Sequence, residues 1–133
     1  MSNIELNKTL VKRYFTAIEE GDLPAFDEIV AIDYQDHVRG RQPGREALRT
    51  AAQTLRVAFP DLTSSVTHIL AEGDLVAVHN RVRGTHRGPF GDLPATGNRV
   101  DFTALQLFRV DGELIVEHWE ISDENTLRQQ LGG

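Results

Sequence analysis

The sequence has no cysteine, no long apolar run and no excess of basic residues. Without cysteine the fold cannot depend on disulfides, and the site cannot use thiol chemistry. No positively charged leader and no bilayer-length apolar segment is present, so we expect a soluble, cytoplasmic protein without a membrane partner. The formal net charge of −6 argues against nucleic-acid binding, which needs a clustered basic surface to neutralise phosphates.

Helical patterns come first along the chain. Its 133 residues fit one domain, 1–133, that can bury about two-thirds of its unfolded surface. Apolar residues recur at helical spacing from about Ile4 to Glu20, and Gly21 ends this first helix. Ser2 and Glu5 have the spacing of a capping box. Further helices are predicted over 24–30, 48–59 and 124–131.

Strand patterns follow. After Leu62 the apolar residues alternate, which predicts strands over 63–71, 75–85, 99–110 and 113–122, with a short extended piece at 33–38. The loop 87–98 is rich in glycine and proline, so it is either a lid over the sheet or a subunit contact. This order predicts an α+β fold, in which a curved antiparallel sheet wraps around the long N-terminal helix and leaves a cone-shaped pocket.

The last two predicted strands carry polar residues in otherwise apolar rows. Gln106 lies in the first row, and His118 and Glu120 lie in the second, beyond the hairpin signal Asp111-Gly112. The apolar members of these rows are Phe102, Ala104, Phe108, Leu114 and Val116. If the rows face a pocket, their polar side chains are candidates for its chemistry.

The hairpin loop decides whether the two rows share a side of the sheet. A three-residue loop brings Gln106, His118 and Glu120 onto one face. A two-residue loop instead places Gln106 with the opposite row of the second strand, which contains Glu117, Trp119 and Ile121. We favour the three-residue loop, because it gathers the isolated polar groups among apolar neighbours.

Five segments cover nearly the whole chain and carry a family resemblance. They are GDLPAFDEIVAIDYQDH, FPDLTSSV, AEGDLVAV, GTHRGPFGDLPATGNRVDF and LFRVDGELIVEHWEISD. Together they resemble the SnoaL-like polyketide cyclase family of the nuclear transport factor two-like superfamily. The resemblance implies a cone-shaped α+β fold and a cofactor-free enzyme that closes a ring by intramolecular aldol condensation, with one pocket carboxylate as acid and base.

The resemblance also bears on single residues. Glu120 falls where the family's cyclases carry an aspartate, and Gln106 falls where they carry a histidine. Glutamate keeps the carboxylate with a longer reach, whereas glutamine cannot take a proton. His118 shares the face of Glu120 and could hydrogen-bond to a substrate carbonyl or transfer a proton. We predict Glu120, His118 and Gln106 as catalytic residues.

A second group of residues is predicted to contact the substrate. Tyr14 resembles the first-helix tyrosine of the cyclase pocket, and Asp36 lies near the position of the base in the related ketosteroid isomerase. Arg81 could bind an anionic or enol oxygen if its strand face is concave. The complete predicted set is Tyr14, Asp36, His37, Arg81 and Phe102.

Other charged residues have plainer interpretations. The arginines at 39, 41, 45 and 49 are interpreted as a solvated loop and helix face, the commonest fate of arginine. The histidines are dispersed and lack ligand spacing, so we predict neither a metal nor another cofactor.

Two rival functions remain open. One is a binding module without turnover, whose pocket holds a small apolar or polyketide-like ligand. The other is an epoxide hydrolase like the limonene enzyme, in which Arg81 and Glu120 could match the arginine and one carboxylate, although Arg83 stands where the second carboxylate belongs.

Apolar residues on the opposite sheet face also predict a homodimer or higher homo-oligomer. These residues are Leu105, Leu107, Trp119 and Ile121.

Overall fold

A five-stranded sheet packs over the long first helix. The computed structural model describes residues 3–38 and 40–132. The elements are α1 (Ile4–Glu20), a 3₁₀ turn (Leu23–Ala25), α2 (Phe26–Ile29), β1 (Val30–Asp36), α3 (Arg45–Ala58), β2 (Thr63–Glu72), β3 (Leu75–Thr85), β4 (Arg99–Asp111), β5 (Leu114–Ser122) and α4 (Glu124–Gln130). The predicted α+β class is confirmed.

Helix α1 has the predicted bounds, Ile4–Glu20. It ends because Gly21 adopts a left-handed conformation with φ of 67°, and the Gly21 N–H donates to the Ala17 carbonyl. Tyr14 and Phe15 lie on the buried face of the helix, against the sheet. The predicted capping box involves Ser2, which lies outside the described residues.

The sheet order is β1-β5-β4-β3-β2, and β2 to β5 form the predicted antiparallel series. The edge strand β1 differs from the prediction, because it pairs with β5 in parallel. Parallel neighbours need a long connection, and here α3 and three strands separate β1 from β5 along the chain. This pairing places Asp36 opposite His118.

The β4–β5 turn also differs from the prediction. Asp111 pairs with Leu114 across a two-residue loop, Gly112-Glu113. Both loop residues have positive φ, 58° and 67°, as a type I′ turn requires. The hairpin itself is confirmed, but the favoured three-residue loop is wrong, and the two-residue loop lies one residue later than Asp111-Gly112.

A β-bulge beyond the turn restores the predicted clustering of polar residues. Val110 pairs with Ile115, but Arg109 pairs with Glu117, so the register shifts between these two pairs. Gln106 therefore pairs with Glu120, and Phe108 pairs with His118. After the bulge, His118 and Glu120 lie on the same face of the sheet as Gln106, as predicted. Between the turn and the bulge, the prediction that Leu114 and Val116 share that face is wrong, because Ile115 is the fully buried residue there.

The loop 87–98 packs against the end of α3. The Arg87 and Gly88 amides both donate to the Ala58 carbonyl, at 3.0 and 3.2 Å. A Cβ atom at Gly88 would overlap the Val57 carbonyl oxygen, so only glycine fits this approach. Farther along the loop, Phe90 and Leu93 line the main cavity, as the lid interpretation expects.

Gly88→Ala should lower the free energy of unfolding by more than about 2 kcal/mol, because backbone overlap cannot be relieved by a side-chain rotation. Gly91→Ala in the same loop is the matched control. Its Cβ would meet open space and only its positive φ is unfavourable, so it should cost about 1 kcal/mol. Urea unfolding measures both values, and equal losses would contradict the close approach at Gly88.

Within the described ranges, no helix is long and apolar enough to cross a membrane.

Candidate active site

A cavity of about 590 Å³ lies between α1, the sheet and α4. Its lining is mainly apolar, as is typical of a small-molecule site. Apolar lining residues include Phe15, Ile18, Leu55, Phe59, Leu62, Val82, Phe90, Leu93, Phe102, Leu127 and Leu131. Polar side chains also reach the cavity, among them Tyr14, Arg41, Ser64, Asn80, Gln106 and Glu120.

Glu120 presents its carboxylate to this cavity from β5. Its side chain is 18% exposed. Arg41 Nη2 lies 3.9 Å and His118 Nε2 lies 4.0 Å from Glu120 Oε1, and both distances are longer than a hydrogen bond. The carboxylate is therefore close to the positive charge of Arg41 but does not form a short ion pair with it. Its oxygens can accept a proton from a bound molecule.

His118 is fully buried behind the cavity wall, between an aromatic layer and Asp36. Its ring stacks on Phe108 with centroids 4.7 Å apart. Its Nδ1 lies 3.5 Å from Asp36 Oδ1 and 3.4 Å from the Tyr34 hydroxyl. The Tyr34 hydroxyl donates to Asp36 Oδ2 at 2.6 Å. These contacts fix the orientation of the imidazole.

Asp36 is a buried carboxylate that stays ionised. Burial alone would raise its pKa, but hydrogen bonds from His118, Tyr34 and the Val38 amide hold the pKa well below its usual range. The Val38 N–H donates to Oδ1 at 2.9 Å, and Arg41 Nη1 donates to Oδ2 at 3.3 Å. Asp36 is thus the fixed negative charge of the site.

A chain of hydrogen bonds crosses four strands from His118. With Nε2 protonated, His118 donates to Gln106 Oε1 at 2.8 Å. Gln106 Nε2 donates to Asn80 Oδ1 at 2.9 Å, and Asn80 Nδ2 donates to Ser64 Oγ at 3.0 Å. Each amide has a second N–H, and Ser64 keeps its own hydroxyl hydrogen. The chain therefore lines one wall of the cavity with donors.

Arg41 and Tyr14 lie beside Glu120. The Arg41 side chain is 30% exposed and lines the cavity between two carboxylates, Asp36 and Glu120. Burial raises the pKa of Tyr14, although the positive charge of Arg41 opposes the shift. The phenol therefore remains protonated and can donate a hydrogen bond into the cavity.

The predicted site residues fall into three positions. Tyr14, Phe102, Gln106 and Glu120 line the cavity. Asp36 and His118 lie behind its wall, where they contact the lining residues but not the cavity itself. His37 and Arg81 lie on the outer face of the sheet.

The positions of His37 and Arg81 do not fit the prediction that they contact substrate. Arg81 follows the cavity-lining Asn80 along β3, so its side chain points to the outer face of the sheet. Its Nε donates to Asp101 Oδ1 at 2.7 Å. His37 follows Asp36 at the end of β1 and points the opposite way. Its ring stacks on Trp119 with centroids 4.8 Å apart, and its Nε2 lies 2.7 Å from Glu117 Oε2.

Asn80, Ser64 and Arg41 are among the polar cavity residues that were missed in the sequence. Asn80 lies in the inward row of β3 with Val78 and Val82, so the same signal that identified Gln106 could have found it. Ser64 begins the inward row of β2 but is too common at strand ends to be informative. Arg41 lies in the loop before α3, where no periodicity exists, and its interpretation as a solvated residue is wrong.

No group of three or more histidine, aspartate or glutamate side chains in the described part of the chain could hold a metal ion. The absence of a cofactor remains a prediction from the sequence. The groups available to a bound molecule include the carboxylates of Glu120 and Glu124, the guanidinium groups of Arg41 and Arg128, the Tyr14 phenol and a row of neutral donors.

Comparisons with known proteins identify a family for this chain. The model of the SnoaL-like polyketide cyclase family matches residues 8–131. IdmH, a candidate polyketide cyclase from Streptomyces antibioticus, is 35% identical, with 96% of this chain and 99% of that chain covered and a TM-score of 0.84. TsrD from Streptomyces laurentii is 26% identical, with 94% and 93% covered and a TM-score of 0.88.

Two further structures are similar. AclR, a candidate hydroxylase from Streptomyces galilaeus, is 27% identical, with 97% of this chain and 82% of that chain covered and a TM-score of 0.87. A candidate SnoaL-like polyketide cyclase from Jannaschia sp. CCS1 is 23% identical, with 100% and 96% covered and a TM-score of 0.91, and supports the fold alone. A search of curated proteins found no significant match.

Proposed function

The chain belongs to the SnoaL-like polyketide cyclase family, and on that premise we propose that it is a cofactor-independent cyclase or isomerase of small carbonyl compounds. Glu120 is its acid/base. The cavity would take a mainly apolar, polyketide-like substrate, with a carbonyl group at the polar wall. Aldol ring closure and double-bond migration use the same first step.

That first step is removal of a proton from the carbon next to the carbonyl. Glu120 takes the proton, and the electron pair of the broken C–H bond moves into the carbonyl, which becomes an enolate. In ring closure the enolate carbon then bonds to a second carbonyl carbon of the same molecule. The oxygen of that second carbonyl receives the proton back from Glu120, so atoms and charge balance without an added reactant.

The observation that carries this proposal is the environment of the Glu120 carboxylate. It faces a mainly apolar cavity, and Arg41 Nη2 and His118 Nε2 are 3.9 and 4.0 Å from Oε1. A structural carboxylate would be satisfied by direct hydrogen bonds, as Asp36 is. A carboxylate that keeps its acceptor oxygens free is suited to general-base catalysis.

His118 and Gln106 have different parts in this mechanism. Gln106 lines the cavity, and its second amide hydrogen can donate to the substrate carbonyl. His118 does not line the cavity, so it is a positioning residue that holds Gln106 through the 2.8 Å bond to Oε1. The Asp36 carboxylate and the Tyr34 hydroxyl in turn hold the imidazole.

Deuterium exchange tests this function without the natural substrate. In D₂O the protein should exchange the hydrogens between the carbonyls of an aryl 1,3-diketone faster than buffer does, and this exchange should depend on Glu120. If the diketone binds in the cavity but exchanges at the buffer rate, the binding-module alternative is correct. The epoxide hydrolase alternative has less support, because Arg81 lies on the outer face.

Self-association is part of the proposal. Leu105 and Ile121 are direct cross-strand partners on the outer face of the sheet, and they are 60% and 79% exposed. Adjacent exposed apolar groups on a strand pair are typical of an interface. We propose that two copies of the chain associate through this face.

Light scattering of the wild type should therefore give the mass of a dimer or larger assembly at micromolar concentration. The Ile121→Glu variant should give the mass of one chain, because association would bury the added charge at the interface. Leu6→Glu is the matched control, since Leu6 is exposed on α1, away from the sheet face. A one-chain mass for the wild type would contradict the assembly.

A further inference from the structure

Arg41 is a cation in the cavity wall that the proton-transfer steps above do not use. Its Nη1 donates to Asp36 Oδ2 at 3.3 Å, and its Nη2 lies 3.9 Å from Glu120 Oε1. A guanidinium has five N–H donors, and its hydrogen bonds to Asp36 and to the Tyr14 oxygen use two of them. Arg41 therefore has donors left for a bound molecule, in the part of the cavity where Glu120 acts.

The position of Arg41 is built into the end of β1. Asp36 Oδ1 accepts from the Val38 amide, and the Arg41 amide donates to the Val38 carbonyl at 3.1 Å. Together with the bond from Nη1 to Oδ2, these bonds hold Val38 and Arg41 close to Asp36. The same carboxylate thus shapes the backbone and holds the guanidinium.

The charges around Arg41 change during the proposed reaction. Before proton abstraction, its positive charge faces two carboxylates, Asp36 and Glu120. When Glu120 takes the proton, that carboxylate becomes neutral and a negative charge appears on the substrate oxygen. Arg41 then loses one anionic neighbour and can gain another at the same moment, without a change in the net charge of the site.

We propose that Arg41 binds the substrate oxygen that becomes negative, together with the Tyr14 hydroxyl. The proposal rests on the function given above and defines its substrate more closely. A permanently anionic group at this position would be repelled by Asp36 and Glu120. The site therefore selects a neutral carbonyl that acquires its charge only as the proton leaves, which is where fixed charges accelerate a reaction.

p-Nitrophenol is a direct probe of this oxygen site. Its phenolate is a planar, conjugated oxyanion like an enolate, and it absorbs visible light whereas the neutral phenol does not. The Glu120→Gln protein is the right host, because the neutral amide imitates Glu120 after proton transfer. Binding to this protein should increase the ionised fraction of p-nitrophenol, with the phenolate preferred about tenfold or more over the phenol.

Replacing Arg41 should remove that preference. In the double variant Glu120→Gln/Arg41→Gln the preference for phenolate over phenol should fall tenfold or more. Arg41→Lys in place of Arg41→Gln should restore part of this preference, since lysine keeps the charge but not the planar fork. If the glutamine variant does not fold, the lysine variant still decides, because loss of part of the preference is required. Circular dichroism checks the fold of each variant.

Arg128→Gln is the matched control, because Arg128 also lines the cavity. In the Glu120→Gln background it should leave the phenolate preference unchanged. If the preference survives removal of Arg41, or falls equally on removal of Arg128, the oxygen site is not at Arg41. The proposed function fails separately, if Glu120→Gln alone retains the catalysed deuterium exchange of the wild type.

Discussion

Glu120→Gln should lower the rate of catalysed diketone deuterium exchange by at least about 100-fold, the scale on which positioned general bases act. Glutamine keeps the shape and the hydrogen-bonding length of the side chain but cannot take a proton. The rate is followed by proton NMR as loss of the signal from the hydrogens between the two carbonyls, with buffer and protein-free controls subtracted.

The same substitution should leave the fold intact. Arg41 Nη2 and His118 Nε2 lie 3.9 and 4.0 Å from Glu120 Oε1, so replacing the carboxylate breaks no short ion pair. Removing a charge from a mainly apolar wall relieves a desolvation cost, and the free energy of unfolding should be unchanged or slightly higher. Glu120→Gln should therefore separate activity from stability.

Glu124→Gln provides the matched control. Glu124 is the other carboxylate that lines the cavity, at the start of α4. Its replacement removes the same charge from the same cavity but should leave the exchange rate within about twofold, since it is not beside Arg41 and Gln106. An equal loss in the two variants would mean that cavity charge, and not a base at Glu120, controls the exchange.

Asp36→Asn should lower the free energy of unfolding at neutral pH by roughly 3 kcal/mol, the scale for breaking a buried charge pair from one side. The substitution leaves Arg41 without its closest carboxylate and weakens the bonds from His118, Tyr34 and the Val38 amide. The exchange rate should fall as well, because the imidazole and the guanidinium lose their common anchor.

The pH dependence of this loss has a definite sign. The pKa of Asp36 is lowered by folding, so its ionised form stabilises the folded chain above the unfolded carboxyl value of about 3.9. That stabilisation is lost as the pH falls through the lower value of the folded state. The difference between wild type and Asp36→Asn should therefore be greatest near neutral pH and shrink below about pH 4.

Urea unfolding at several pH values measures this difference. Asp101→Asn is the comparison on the outer face, where Asp101 pairs with Arg81 in an exposed setting. Exposed ion pairs contribute little, so its effect at neutral pH should be much smaller. An Asp36→Asn difference that persists undiminished at acid pH would show that shape, not charge, is what Asp36 contributes.

Local patterns were sufficient for much of this fold. The helix over Ile4–Glu20 and the strand over Leu75–Thr85 have the predicted bounds, because each combines clear periodicity with an end signal. Gln106 was found for the same reason, as a polar residue in an apolar row. Asn80 shows that this rule could have been applied further.

The remaining features depend on long-range or irregular structure. The bulge near Ile115 has no reliable local signal, yet it decides which residues of β5 face the cavity. The burial of Arg41 depends on Asp36, and the role of Asp36 depends on pairing with a distant strand. Arg81 lies on the face opposite the row of Val78, Asn80 and Val82, and the position of His37 beside Trp119 depends on the parallel pairing of β1 with β5.

The parallel pairing of β1 with β5 also bears on when the site forms. Tyr34 and His118 are 84 positions apart, and β5 is the last strand among the described residues. Contacts so distant in sequence form late, after the closure of a long loop has been offset by other interactions. During synthesis the segment that carries Asp36 and Arg41 emerges well before its partner strand. The anchor of the guanidinium and the imidazole is therefore complete only after β5 has left the ribosome.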